Sequence, residues 1–584
     1  MKSVLSILVL AAAISFSSMP VKANNTDHPN LKIAFTTDVH GNFFPFNFIT
    51  LTDGEGSLAR VATAIDSLRH EVGDENFLLL DNGDILQGQP TAYYYNFIDT
   101  ESPHIVSEIY NYMGYDATTV GNHDIETGHH VYDRVRKQNR MPMLAANVID
   151  EATGQPYFQP YAIFNRGDMK IAVLGLLTPA IPSWLPEELW EGMRFEDMTE
   201  SAKKWIKIIK QNEKPDIIIG LFHSGHDENK TTGNTVENAS VKVAREVPGF
   251  TAVLMGHDHQ RYNRPIVNIE GKEVSVINPA NNARAIGIVD VTKGATSEPK
   301  ATAYILDVTN CVPSSDFLQR FNNQKKEVLK FVERQIGTAT ADMSTHDAFF
   351  GPSAFMTLLH KLQLEISGAD ISFAAPLSFD AQISKGPVRV SDMFTLYKYE
   401  NMLYVLELTG KEIKNYLEES YNQWTARLTP ENSHIIRFAS ESPDAQNNRL
   451  SYPSYNFDSA DGIIYTVDVT KPKGSKINII SLADGKPFDM AAKYTVAVNS
   501  YRANGGGNLL TDGAGIPADS LSSRVIRATD KDLRYYLIQA IEQNPIINVA
   551  TDHNWKFIPE ETAEKAIAID REILFSPASS KEQK

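Results

Sequence analysis

The chain has a single cysteine, Cys311, in 584 residues. No intramolecular disulfide can form, and stability must come from packed cores rather than cross-links. After residue 20 no stretch reaches the about 18 consecutive apolar residues that a membrane-spanning helix needs. Clustered basic charge is also missing: the formal net charge of -17 is spread along the chain. That distribution excludes the basic surface typical of proteins that hold nucleic acid polymers. Small anionic substrates remain open to it, if metal ions or a few local cations receive them.

What is present fits an ordinary globular protein, with 42% hydrophobic and 22% charged residues. The length exceeds what one core supports, so at least two domains are expected. Residues 1–23 read as an export signal: Lys2 supplies a positive start, Val4 to Phe16 is an uncharged, mostly apolar run, and Val21-Lys22-Ala23 suits a signal peptidase. Removing them takes away two lysines and no acid, moving the net charge from -17 to -19. Cys311 lies far from that junction, so no cysteine stands there to carry a lipid. A periplasmic location without a membrane anchor is expected.

From about Leu31 to Asp307 short apolar runs alternate with amphipathic stretches. The runs include Lys32–Thr36, Phe77–Leu80, Lys170–Leu177, Asp216–Phe222 and Thr251–Met255. Between them lie helical patterns such as Ser57–Val72, with Leu58, Val61, Ile65 and Leu68 on one face. This alternation predicts a layered α/β domain over 31–310. A helix is expected over 315–337, with Gly337 stopping it, as a connector. The second domain, expected over 338–560, starts with a helix near Ser353–Ser367 and continues into strands near Ile463–Val469, Ile477–Leu482 and Tyr494–Val498. The tail from Ser576 is polar.

Five polar motifs each follow an apolar run: Asp38-Val39-His40, Asp81-Asn82-Gly83-Asp84, Gly121-Asn122-His123-Asp124, His223-Ser224-Gly225-His226 and Gly256-His257-Asp258-His259. In α/β sheets ligand sites form beyond the carboxyl ends of strands, so the five should converge on one rim. Carboxylates, imidazoles and an amide oxygen suit hard-to-borderline divalent metals. Each motif alone is a common turn or cap. Their joint occurrence at strand ends is what points to a metal centre.

This ordered set resembles that of the calcineurin-like metallophosphoesterases, and the whole chain resembles the 5'-nucleotidase family, whose members append a C-terminal substrate-binding domain of α+β type. The resemblance implies one metal held by Asp38, His40 and His259, a second held by Asn122, His223 and His257, and Asp84 bridging them. Two divalent ions (zinc, manganese, iron or cobalt) would activate water and neutralise the phosphoryl oxygens. His123, oriented by Glu126, would assist the leaving oxygen. Asp81 is expected to support a ligand, and His129, His130, His226 and Arg60 to be structural.

The resemblance also implies an aromatic clamp for the nucleobase, here Tyr399 and Tyr501, with Asn401 beside it. Gly505-Gly506-Gly507 would let backbone approach the ligand. Members acting on 5'-nucleotides carry Asn-Gly-Gly-x-x-Arg after a strand. This chain has Ala374-Ala375-Pro376-Leu377-Ser378-Phe379-Asp380 instead, with Arg389 or Arg502 as other phosphate contacts. Together with Tyr455-Asn456-Phe457-Asp458, that departure is similar to the 2',3'-cyclic-nucleotide 2'-phosphodiesterase/3'-nucleotidase branch. The expected protein is a monomeric hydrolase of small nucleotides. Its rivals are a 5'-nucleotidase or UDP-sugar hydrolase, a sulfur-oxidising hydrolase relative, and a non-catalytic nucleoside-binding protein.

Overall fold

A computed structural model describes residues 31–232, 235–293, 298–444, 448–548 and 550–576. The expected export signal and the tail beyond Ser576 lie outside the described residues. No helix among those described is long and apolar enough to cross a membrane.

The first domain is built on two six-stranded sheets packed face to face. One runs, edge to edge, Lys300–Asp307, Ala285–Thr292, Leu31–Thr36, Phe77–Asp81, Ala117–Thr119 and Met143–Leu144. The other runs Arg261–Val267, Glu273–Pro279, Ala252–Met255, Ile217–His223, Met169–Leu177 and Tyr161–Arg166. Central strands are parallel and buried on both faces, which is why Ile217–His223 is apolar up to its final histidine and Leu31–Thr36 is mainly apolar, the buried Lys32 being paired with Asp290. Alternate side chains divide between two cores. Leu31, Ile33 and Phe35 meet Ile171, Val173, Ile219 and Leu254 between the sheets. Ala34 and Leu79 face the helix Leu58–Val72 on one outside, and Leu174 and Phe222 face the helix Met198–Asn212 on the other. The result is four layers, helix–sheet–sheet–helix.

Register decides where the motifs go. Thr36 pairs with Asp81, and Asp81 with Thr118; in the other sheet His223 pairs with Leu177 and Phe222 with Met255. The parallel strands therefore end level with one another, and the five polar loops leave from one rim.

The single connecting helix expected over 315–337 is two helices, Ser315–Arg320 and Asn322–Val332. Phe321 breaks them, with φ -102 and ψ 16. Its buried ring packs against Phe317 at 4.8 Å and Tyr112 at 5.6 Å, and two asparagines of low helix propensity follow it. Phe317, Phe321, Val328 and Val332 belong to the first domain's core, so the segment is packed rather than free. Ile336 and Gly337 lie in the strand Gln335–Ala339, which opens the second domain.

That domain centres on a five-stranded mixed sheet in the order Ser459–Asp461, Ile371–Ala374, Lys493–Asn499, Met402–Thr409, Val525–Asp532. Helices Ala354–Ser367, capped by Ser353, and Gly410–Trp424, capped by Thr409, pack on it. It extends past the expected boundary at 560: the helix Glu560–Phe575 buries Ala563, Ala566 and Leu574 in the same core as Tyr465 and Trp555.

The domains meet through Tyr93, which ends the helix Pro90–Tyr93 and is buried in the second domain's core. Its hydroxyl donates to Asp532 Oδ2 at 3.0 Å. Its ring lies 4.9 Å from the guanidinium of Arg534, which also sits 4.0 Å over Phe394. Arg534 pairs with Glu400 Oε1 at 3.0 Å and donates to the carbonyls of Tyr397 and Lys398. A charge buried this completely is tolerable because it is paired and hydrogen-bonded.

Candidate active site

The rim is built from unusual backbone. Asp38, His40, Asp84, His257 and His259 all have φ between 48 and 75, a left-handed region that costs a non-glycine residue about 1 kcal/mol or more. The loops that hold them also touch: a Cβ on Gly121 would lie 2.0 Å from Asp84 Oδ1, so only glycine fits there.

Two clusters share Asp84. In the first, Asp38, His40, Asp84 and His259 offer ligand atoms all within 4.8 Å of one another; in the second, Asp84, His223 and His257 do. Hydrogen bonds assign the tautomers. His223 Nδ1 donates to the Asn82 carbonyl at 2.6 Å, so Nε2 is the ring nitrogen turned towards Asp84 Oδ2 and Asn122 Oδ1, each at 3.1 Å. His257 Nε2 donates to Glu237 Oε1 at 3.0 Å, which leaves Nδ1 bare, 2.8 Å from the same amide oxygen. His40 Nδ1 donates to the Gln87 carbonyl at 3.1 Å, and its bare Nε2 lies 3.0 Å from His259 Nε2, which is 3.2 Å from Asp38 Oδ1. Carboxylate, amide and imidazole acceptors crowd together here, an arrangement that needs positive charge, as protons or a cation, inside it.

The electrostatics agree. Burial disfavours charge on His223, yet Asp84 and Asp38 outweigh it and push its pKa up to about 10. Burial would raise Asp38, but His259 and His223 hold it at about 2. Burial and the neighbouring His259 push His40 down to about 4. The cluster calls for cations, and its oxygen and imidazole donors suit divalent ions.

His123 stands beside this set. Its backbone N–H donates to Asp84 Oδ1 at 2.8 Å, its Nδ1 meets Glu126 Oε2 at 2.5 Å, and its ring lies 5.6 Å from that of His40. Burial opposes its protonation, but Asp84 and Glu126 overcome this and raise its pKa to about 9.

Three carboxylates build the scaffold. Asp124 accepts four backbone N–H groups, from Gly121, Asp84, Ile85 and Leu86, at 2.8–3.0 Å, stapling two loops together. Asp81 accepts from Thr36, Tyr110, Thr118 and the Gly83 N–H, and burial pushes it up to about 7; it fixes the Gly83 turn and bonds none of the rim imidazoles. Glu237 orients His257. Sequence reasoning missed Asp124's role, although it stands inside a motif, and missed Glu237 entirely, because it lies in an unremarkable polar stretch. His226 is bonded to Asp258, His129 to Asp133 and Tyr157, and Arg60 to the Cys311 carbonyl. His130 packs 5.9 Å from Phe97.

The second domain brings Tyr399, Tyr455 and Tyr501 together. Tyr455 stands edge-on to both others, at 6.4 Å and 86° from Tyr399 and 6.2 Å and 87° from Tyr501. All three lie within reach of charges on the first domain, Glu126 acting on Tyr399 and Glu237 on Tyr455 and Tyr501. Asn401 is buried, its amide donating to the Tyr397 hydroxyl at 3.4 Å. Arg502 is not a free phosphate contact. It is buried and pairs with Asp458 through Nε at 3.1 Å and Nη2 at 2.9 Å, and it also bonds the carbonyls of Tyr455 and Gly506. The glycine run serves the same core: a Cβ on Gly506 would lie 2.5 Å from the Tyr501 ring, so the close approach is to that ring. Arg389 is exposed at the start of the helix Val390–Leu396.

Comparison with known proteins assigns both halves. Residues 31–261 match the calcineurin-like phosphoesterase model and residues 335–512 the 5'-nucleotidase C-terminal domain. The chain is 26% identical, over 86% of its length and 85% of the other's, to a 2',3'-cyclic-nucleotide 2'-phosphodiesterase/3'-nucleotidase of Yersinia enterocolitica. It is 33% identical, over 44% of its length and 46% of the other's, to a 5'-nucleotidase of Vibrio cholerae. It also matches a trifunctional nucleotide phosphoesterase of Bacillus subtilis at 26% identity over 94% of its length, spanning 40% of that longer protein. A solved structure from Staphylococcus aureus, named as a candidate 5'-nucleotidase, shares the fold, with a TM-score of 0.74 at 24% identity over 90% of this chain and 99% of that one.

Proposed function

For a chain that belongs to the calcineurin-like phosphoesterases and carries a 5'-nucleotidase C-terminal domain, and so is a metal-dependent phosphoester hydrolase, we propose a role as a periplasmic 2',3'-cyclic-nucleotide 2'-phosphodiesterase/3'-nucleotidase. The observation that carries this reading is a three-tyrosine group in one domain, within reach of the charges of Glu126 and Glu237, together with the His/Asp cluster of the other. A base and a phosphoryl group can then be engaged together. The choice of the 3' branch rests on Ala374–Asp380, which lacks the arginine of the 5'-specific pattern, and on Arg502 being consumed by Asp458.

In this reading Asp38, His40 and His259 would hold one divalent ion, Asn122, His223 and His257 would hold a second, and Asp84 would serve both. Such ions supply a water-derived nucleophile at neutral pH and charge neutralisation at the phosphoryl oxygens. The protein's own groups do the rest. Asp124 keeps the Asp84 and Asn122 loops at fixed separation, and Glu237 and the Asn82 carbonyl aim the imidazoles. Glu126 holds the Nδ1 side of His123, leaving Nε2 to give a proton to the departing ribose oxygen. Tyr399 and Tyr501 stack on the base, with Tyr455 between them closing the slot. Export would depend on residues 1–23.

The test is a panel of 2',3'-cyclic AMP, 3'-AMP, 5'-AMP and UDP-glucose, assayed with several divalent metals. The proposal expects the first two to be turned over fastest. Faster hydrolysis of 5'-AMP or UDP-glucose would move the protein to the 5' branch that the Vibrio cholerae relative represents. Bound nucleoside with no turnover of any phosphoester would make it a binding protein.

A further inference from the structure

A sixth loop reaches the rim, and it carries neither carboxylate nor imidazole. The strand Met169–Leu177 ends level with the others, Leu177 pairing with His223, and the chain continues as Thr178-Pro179-Ala180-Ile181-Pro182-Ser183-Trp184. Thr178 fastens this loop to the site twice. Its N–H donates to the His223 carbonyl at 2.9 Å, and its hydroxyl to the Glu237 carbonyl at 3.0 Å. A short turn over Ile181–Ser183 follows, and the Trp184 and Leu185 N–H groups both return to the Ile181 carbonyl at 3.0 Å. The partly buried indole of Trp184 is thereby set against the imidazole of His257, stacked with 5.6 Å between ring centroids and 29° between planes. His223 stands edge-on to the same imidazole, at 5.5 Å and 66°.

What this contact supplies follows from how His257 is held. Its backbone sits in the left-handed region, with φ 75, and its ring is pinned through Nε2, which donates to Glu237 Oε1 at 3.0 Å. A ring held at one atom can still tilt, and tilting would swing Nδ1 away from Asn122 Oδ1, now 2.8 Å off. A flat surface against the face of the ring blocks that motion. The same surface suits a charged partner: an imidazole drawn on by a cation is electron-poor, and the face of an indole is negative. We infer that Trp184 is a positioning residue for the ion assigned to Asn122, His223 and His257, holding the His257 ring in its ligand orientation and favouring the loaded imidazole over the bare one. This rests on the metal-centre reading above and adds to it a residue that offers no ligand atom.

The indole itself is the readout. Full-length protein freed of metal is titrated with cobalt, an open-shell ion that quenches an indole at short range, while tryptophan emission and bound metal are followed together. Wild type should lose emission in step with binding. Trp184→Phe should bind the ion with most of that quenching gone, whereas Trp205→Phe, on the outer helix Met198–Asn212, should keep it. Trp184→Leu, which has no aromatic face, should bind one ion about 2- to 30-fold more weakly, the range of a cation–π contact. Trp184→Phe should recover most of that loss. Undiminished quenching in Trp184→Phe overturns the proposal, as does wild-type affinity in Trp184→Leu or binding without quenching in the wild type. Should Trp184→Leu fail to fold, the quenching comparison decides alone. A wild type that binds none of cobalt, zinc or manganese overturns the metal-centre reading itself.

Discussion

Glu237 accepts the Nε2–H of His257 at 3.0 Å while its own carboxylate is held by Lys230 at 2.6 Å and the Thr232 hydroxyl at 2.6 Å. Burial would raise this carboxyl, but His257 and Lys230 hold it at about 2, so it stays charged. Glu237→Ala frees the imidazole to rotate, and metal affinity should fall by about 10- to 100-fold. Metal titration followed by calorimetry reads this directly; unchanged affinity would remove Glu237 from the metal-orienting role.

Removing the ions should destabilise the first domain. A ligand present at about a thousand times its Kd contributes about 4 kcal/mol to folding, and here it also relieves the facing acceptors around Asp84. Chelation should lower Tm, and adding zinc or manganese back should restore it. Identical melts with and without chelator would mean that the cluster holds no ion.

His123 touches Glu126 and Asp84 without belonging to either candidate metal cluster. His123→Ala should reduce kcat about 10²–10⁴-fold with metal content retained. Metal loss in this variant, measured by elemental analysis, would make His123 a ligand instead.

Each stacked ring should contribute about 1–3 kcal/mol to nucleotide binding. Tyr399→Ala and Tyr501→Ala should therefore raise KM for nucleotides and lower the preference for a nucleotide over an aryl phosphate by about 5- to 150-fold each. Equal losses on both substrates would return these tyrosines to a purely structural role.

Arg502 and Asp458 are both buried, so breaking the pair strands a charge. Arg502→Met should cost about 3–5 kcal/mol in a denaturant titration. A change in nucleotide KM without loss of stability would contradict the structural role.

The convergence of the rim residues was legible in the sequence because they are chemically conspicuous and each follows an apolar run. Asp38, His40, Asp84, Asn122, His223, His257 and His259 do come together at level strand ends. What could not be read was supplied by distant partners. Glu237 has no local signal, since its role exists only through a contact 20 residues away in sequence. Arg502 sits beside Tyr501 and looked available, but tertiary burial against Asp458 consumes it. The connector failed for a similar reason. Its apolar stripe is real, yet Phe321 turns into the first core and breaks a helix that periodicity alone would continue. Glu560–Phe575 lay past the expected boundary, and only its packing on Trp555 and neighbouring residues shows that it belongs.

Tyr93 is a residue of one lobe seated in the core of the other, with its hydroxyl on Asp532 and its face on Arg534. A plug of this shape resists the two directions of motion unequally. Pulling the lobes apart would unseat the ring and bare a guanidinium, whereas turning one lobe about the ring keeps most of the contact. The same guanidinium donates to the carbonyls of Tyr397 and Lys398, so the loop that carries Tyr399 is anchored at the joint itself.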